Sequence, residues 1–168
     1  MRDLLNLLKA RYSERNFDPK KEVEEEKLYK LLEAGRVAPT ASNRQAFRMY
    51  LTRGKRGKEI MSHFNAPAHI ILTGIEKDAW SRKYDGFSSV ALDLGIVGTH
   101  IVLEAESLGL KTCMICAFEP DRIIQGLTLP AEEYPMMAIA VGYPSADSKP
   151  APKHTERKSM DELVTVVD

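Results

Sequence analysis

Cysteine is scarce in this chain: Cys113 and Cys116 are the only two among 168 residues. Two thiols cannot build the staples of a disulfide framework. A structural zinc site would need a second ligand pair, and none is spaced for it. A thioredoxin-like dithiol needs its first cysteine at a helix N-terminus, whereas Lys111–Phe118 reads as a strand. The pair therefore reads as two small, semi-buried thiols. His63, His69, His100 and His154 share no metal-ligand spacing. A Walker phosphate loop is missing, as is a Gly-x-Gly-x-x-Gly turn after a strand, which argues against phosphoryl transfer and a Rossmann nicotinamide domain. Charge of neither sign is in excess: 24 Lys and Arg balance 24 Asp and Glu. That balance disfavours nucleic-acid and anionic-membrane partners. No apolar run approaches the ~18 residues of a membrane span. Arg2, Asp3, Asn6 and Lys9 break up the first apolar stretch, so no signal pattern is expected. These absences point to a cytoplasmic protein without metal, and its length suits one domain, 1–168, with a sizeable core.

The remaining patterns are those of mixed helix and strand. Leu4, Leu5, Leu7 and Leu8 follow Asp3 at helical spacing, with Asp3 as N-cap. Residues from about Val23 to Val37 predict an amphipathic helix, its acidic run Glu22–Glu26 placed in the first turn. Phe47, Met49 and Leu51 alternate with polar partners as in a half-buried strand. A basic turn between Gly54 and Gly57 then leads to a short helix over Lys58–Phe64. A second strand is expected at Ala68–Thr73, and irregular polar chain over Glu76–Asp85. Phe87–Leu108 predicts the longest helix, apolar on more than one face, with Gly109 in the left-handed cap position. Gly95 and Gly98 on that helix suit close approach by another helix or backbone, and a helix apolar all round in a small chain is expected at a subunit interface. Strands at Lys111–Phe118 and Met136–Val141 bracket a helix opened by Pro120. The tail from about 145 to 168 is polar and then regains apolar character at Leu163–Val167, as a segment does that docks elsewhere, on a second subunit.

Two phrases carry chemistry. Arg11, Ser13 and Arg15 recur every second residue, so in an extended segment they face one side. Two guanidinium forks and a hydroxyl suit a phosphate dianion, although a solvated turn after a helix would use the same residues. Ala38-Pro39-Thr40-Ala41-Ser42-Asn43-Arg44-Gln45 ends a helix at a proline, then offers hydroxyls and amides. These suit a nucleotide's polyol and heteroaromatic edge, or simply a turn.

Taken in order, the phrases resemble the nitroreductase family of FMN-dependent oxidoreductases. The matching pieces are Arg11-x-Ser13-x-Arg15 with Phe17, then Ala38-Pro39-Thr40-x-x-Asn43-x-Gln45. After them come Glu104-Ala-Glu-Ser-Leu-Gly109-Leu-Lys-Thr112, Ala140-Val-Gly142-Tyr-Pro144 and Arg157-Lys158-Ser159-Met160-Asp161-Glu162-Leu163. The resemblance implies an α+β fold, a central, mainly antiparallel sheet flanked by helices, in a homodimer with exchanged C-terminal segments. It implies that Arg11, Tyr12, Ser13 and Arg15 hold the phosphate and pyrimidine edge of FMN, joined at the phosphate by Arg157 and Lys158. Pro39, Thr40 and Asn43 would come from the partner subunit, and Gln45 would join the cofactor contacts. Met114, Ile115 and Cys116 would pass over the flavin face, with a backbone N–H near N5.

The implied chemistry is ping-pong: NADH or NADPH gives hydride to the flavin and leaves, and a nitroaromatic, quinone or similar small acceptor follows. No side chain need act as a nucleophile, because the cofactor performs the redox step. Thr40 stands where the family commonly has serine, Ala46 where proline is frequent, and Cys116-Ala117 where glycine or an acidic residue is usual. Specialisation toward free flavin, dehalogenation or ene reduction fits the same residues. So does a carrier or sensor that holds FMN without turnover.

Overall fold

The computed structural model describes residues 3–167; Arg2, one of the breaks in the first apolar stretch, lies outside them. Four strands form the sheet: β1 (Phe47–Arg53), β2 (Ala68–Gly74), β3 (Lys111–Ile115) and β4 (Tyr134–Gly142), in the order β1-β2-β4-β3. Every neighbouring pair is antiparallel. With helices on both faces, the architecture is the expected α+β arrangement.

The two faces sort by strand alternation. Ile70, Leu72, Ile139 and Val141 point to one side, where they pack with α2 (Glu25–Arg36) and α4 (Val90–Ser107). Ile71, Ala138, Ala140, Cys113 and Ile115 point to the other, toward α3 (Gly54–Ile60) and α5 (Pro120–Leu127). Both central strands are therefore nearly all apolar, as burial on two faces requires.

α1 (Leu4–Ala10) is capped by Asp3, whose carboxylate accepts from the Leu5 N–H at 3.4 Å. Several helix limits differ from those the pattern predicts. α2 begins at Glu25, so Val23 is buried ahead of the helix and only Glu25 and Glu26 of the acidic run occupy its first turn. α3 begins at Gly54, straight after β1, rather than at Lys58. Gly57 permits this, because a Cβ there would lie 2.8 Å from the Thr52 carbonyl carbon. β3 ends at Ile115, three residues early, where the chain turns and the Phe118 N–H donates to the Cys116 carbonyl at 3.2 Å. α4 starts at Val90 and ends with Gly109 at φ +74°, a conformation that glycine adopts without cost. α6 (Met160–Leu163) is a single turn closed by a Ser159–Glu162 capping box.

Candidate functional site

The extended phrase after α1 joins the sheet beside β3. Ser13 makes a parallel bridge with Thr112, and the Glu14 N–H donates to the Thr112 carbonyl at 2.9 Å. Tyr12 and Glu14 are buried, while Arg11, Ser13 and Arg15 stay at least partly open. This is the alternation the spacing predicts.

Thr112 also sets the polarity of the sheet's outer edge. Within a strand, N–H and C=O of one residue point the same way, and the direction alternates along the chain. Because the Thr112 carbonyl faces outward, the N–H of Met114 faces outward too. The outer edge of β3 thus offers the Met114 N–H in line with the Arg11–Arg15 phrase.

Residues 144–157 return along that phrase. Phe17 bridges Pro144, the Ser145 N–H donates to the Asn16 carbonyl at 2.9 Å, and His154 Nε2 donates to the Lys9 carbonyl at 3.0 Å. The return closes a cavity of about 220 Å³ lined by Arg11, Tyr12, Ser13, Arg15, Lys153, His154 and Arg157. Four side chains of fixed positive charge converge there, and among the described residues none of them pairs with a carboxylate. Such a cluster is stable only because it is open to water, and it favours a multiply charged anion. An adjoining cavity of about 280 Å³ shares Ser13, Arg15 and Ala151 with it. Tyr12 forms a wall, its ring edge-on to His154 at 5.9 Å with Lys111 Nζ 4.5 Å from its centroid. Burial, then the Glu14 carboxylate, push the Tyr12 phenol above its ordinary pKa. Burial likewise raises the Cys113 thiol, against the opposing pull of Arg15, Ser13 and Arg11. Cys113 is buried in the α3/α5 face, whereas Cys116 is exposed. Met114, half exposed, lies against α4, its Cε 3.2 Å from where a Gly98 Cβ would stand.

Of the residues singled out in the sequence, Arg11, Tyr12, Ser13, Arg15 and Arg157 line one cavity. Lys158 is exposed and does not line it; Lys153 and His154 do. Their signal was a basic residue four positions before Arg157, legible only as tail charge. Pro39, Thr40, Asn43 and Gln45 lie on a separate loop outside that cavity. Thr40 Oγ1 accepts from the Gln45 N–H at 3.1 Å, and the Gln45 amide donates to Asn43 Oδ1 at 3.2 Å. Ser42, Asn43 and Gln45 all have positive φ near 50°, a conformation that side-chain-bearing residues hold only under constraint. The constraint comes from α4: buried Asp93 accepts from the Ala41 N–H and from Ser89 Oγ, each at 2.9 Å. Its signal in the sequence was that Asp93 is the only charged residue between Asp85 and Glu104, set among apolar positions of the long helix.

The family model of the nitroreductase family matches residues 8–66 and 62–143. A nitroreductase family protein from Clostridium difficile 630 has a crystal structure that superposes with a TM-score of 0.88 at 35% identity, over 98% of each chain. The chain belongs to the nitroreductase family, and is an oxidoreductase by that membership. It is also similar to an FMN-dependent nitroreductase from another Clostridium difficile strain, with a TM-score of 0.77 at 23% identity over 98% of this chain and 99% of the other. An NADPH-dependent oxidoreductase of Staphylococcus aureus is 25% identical over 170 residues, spanning 88% of this chain and 67% of that protein.

Proposed function

We propose that this protein is an FMN-dependent oxidoreductase, working as a homodimer, that moves two electrons from NADH or NADPH to a small organic acceptor such as a nitroaromatic or a quinone. The observation that carries this reading is the convergence of Arg11, Arg15, Lys153 and Arg157 on one cavity beside the open edge of β3. The donor set fits FMN: a cationic cradle for a phosphate dianion lies next to the outward backbone N–H of Met114, which suits the edge of a ring. Bound FMN would supply the two-electron chemistry.

The chain's own residues bind and orient. Arg11, Lys153 and Arg157 would hold the phosphate with the Ser13 hydroxyl. Arg15, one alternation further along the phrase, would stand at the pyrimidine edge and stabilise the negative charge that reduction places there. The Cys116 N–H would hold the ring edge while Met114 and Ile115 border it. Pro39, Thr40, Asn43 and Gln45 would reach the site from the second subunit. Two observations support that assignment: the loop stands apart from its own chain's cationic cavity, and it is anchored on α4, whose outer face is uncovered. Leu92 and Ile96 on that face are 59% and 37% exposed. The exposed apolar end, Leu163 to Val167, would cross to the partner. The acceptor would bind between the ring and the partner's loop.

The test is an absorbance spectrum of the purified protein, repeated after anaerobic addition of NADH or NADPH. A flavin band that bleaches within the time of mixing is the expected result. A band that persists with both donors would make the protein an FMN carrier or sensor instead. No band, even with added FMN, would overturn the reading.

A further inference from the structure

Glu14 sits in the middle of the Arg11–Arg15 phrase, yet it points away from the cationic cavity and is 2% exposed. Its Oε1 accepts from the backbone N–H groups of Arg15 at 2.9 Å and Asn16 at 2.8 Å. Oε2 accepts from the Tyr12 hydroxyl at 3.0 Å and from Ser148 Oγ. Among the described residues no lysine, arginine or histidine forms an ion pair with it. A buried carboxylate without a cation is costly, and only its four donors compensate. Packing alone would have been served by an apolar side chain. An ionised carboxylate is the one compact side chain that accepts at two oxygens at once and donates nothing.

What those four bonds join is informative. Two belong to the phrase's own backbone, one to Tyr12 in the cavity wall, and one to the returning segment. Ser148 ends a turn in which its N–H donates to the Ser145 carbonyl at 3.0 Å, and Lys153 follows five residues later. Among the described residues Arg157 bonds only within its own segment, to the His154 carbonyl at 2.7 Å and the Glu156 carbonyl at 2.6 Å. Its guanidinium is therefore placed by wherever that segment is moored. The bridge between buried Phe17 and Pro144 fixes only the start of the segment, and the moorings beyond it, at Asn16 and Lys9, are exposed.

We infer that Glu14 is a positioning residue of the phosphate cradle. It locks the register between the N-terminal phrase and the returning segment, so that Arg11 from one and Lys153 and Arg157 from the other face a single anion. It touches neither the anion nor the reacting atoms. This inference rests on the FMN reading above, and deepens it by naming the device that assembles the site.

FMN and riboflavin differ only in the phosphate, so their affinity ratio reports the cradle alone. Dissociation constants for both would be measured by flavin fluorescence on the full chain, with Glu14→Ala, Ser148→Ala and the double variant. In Glu14→Ala the FMN dissociation constant is expected to rise about tenfold, and that of riboflavin, which keeps the ring edge at Arg15 but lacks the phosphate, by a clearly smaller factor. Ser148→Ala should move FMN in the same direction by a smaller factor. The double variant should be no worse than Glu14→Ala, as for two residues of one anchor. Equal weakening of both ligands, or an unchanged FMN-to-riboflavin ratio, would overturn the inference and leave Glu14 a general stabiliser. If Glu14→Ala does not fold, Ser148→Ala, on a partly exposed turn, decides by the same ratio. A wild-type protein that binds FMN no better than riboflavin would overturn the FMN reading itself, and the inference with it.

Discussion

His69 shows how a single side chain can be settled by its surroundings. It lies on β2 at 2% exposure, and burial lowers its pKa to about 4. Its ring stays neutral and donates from Nε2 to the His63 carbonyl at 3.3 Å, mooring the loop whose Phe64 and Asn65 both have positive φ. The unfolded chain would take up a proton near pH 6.5, and the folded chain only near pH 4. Between those values the unfolded state binds more protons, so stability falls as pH falls. His69's contribution is complete above pH 6.5 and is lost progressively down to about pH 4, amounting to about 3 kcal/mol. Urea denaturation of wild type and His69→Gln at pH 7.5 and 4.5 should show wild type losing more stability on acidification than the variant. Parallel losses would mean that His69 does not carry the acid sensitivity.

Elements here are placed by close approach as much as by apolar area. α3 starts without a linker after β1 because Gly57 brings the helix backbone onto Thr52, at a distance where a Cβ would meet the Thr52 carbonyl carbon at 2.8 Å. Backbone cannot yield as a flexible side chain can. Gly57→Ala should therefore destabilise the fold by about 1–3 kcal/mol, despite alanine's better helix propensity. Thermal melting checks this; a variant as stable as wild type would mean that α3 can slide freely on β1. Gly98 is a softer case, because the atoms facing it are the termini of Met114 and Met137.

At the scale of the whole molecule, α4 has one face in the core and another uncovered. Leu94, Val97 and Ile101 are buried against the sheet, while Ala91, Leu92, Gly95, Ile96 and Thr99 line an open groove of about 300 Å³. Exposed apolar surface of this kind is what a subunit contact covers. Leu92→Lys with Ile96→Glu should convert the proposed dimer into a monomer in sedimentation. FMN affinity should fall with it, since the Pro39–Gln45 loop would no longer reach the second copy's site. A double variant that stays dimeric would place the contact on another face. Among the described residues no helix is long and apolar enough to cross a membrane.

The sequence by itself determined the period of each element, the alternation that opens Arg11, Ser13 and Arg15 to one side, and the order of motifs that the nitroreductase family shares. These are local properties: side-chain direction repeats every two residues in a strand and every 3.6 in a helix, whatever lies beyond. Tertiary structure alone decided that β3 stops at Ile115, that α3 begins at Gly54, and that Lys153 rather than Lys158 joins Arg157 in the cavity. It alone made Glu14 and Asp93 into anchors, one for the returning segment and one for the loop after α2. The two anchors depend on contacts between residues 134 and 52 positions apart. An acidic side chain reads alike in sequence whether water or four buried donors surround it.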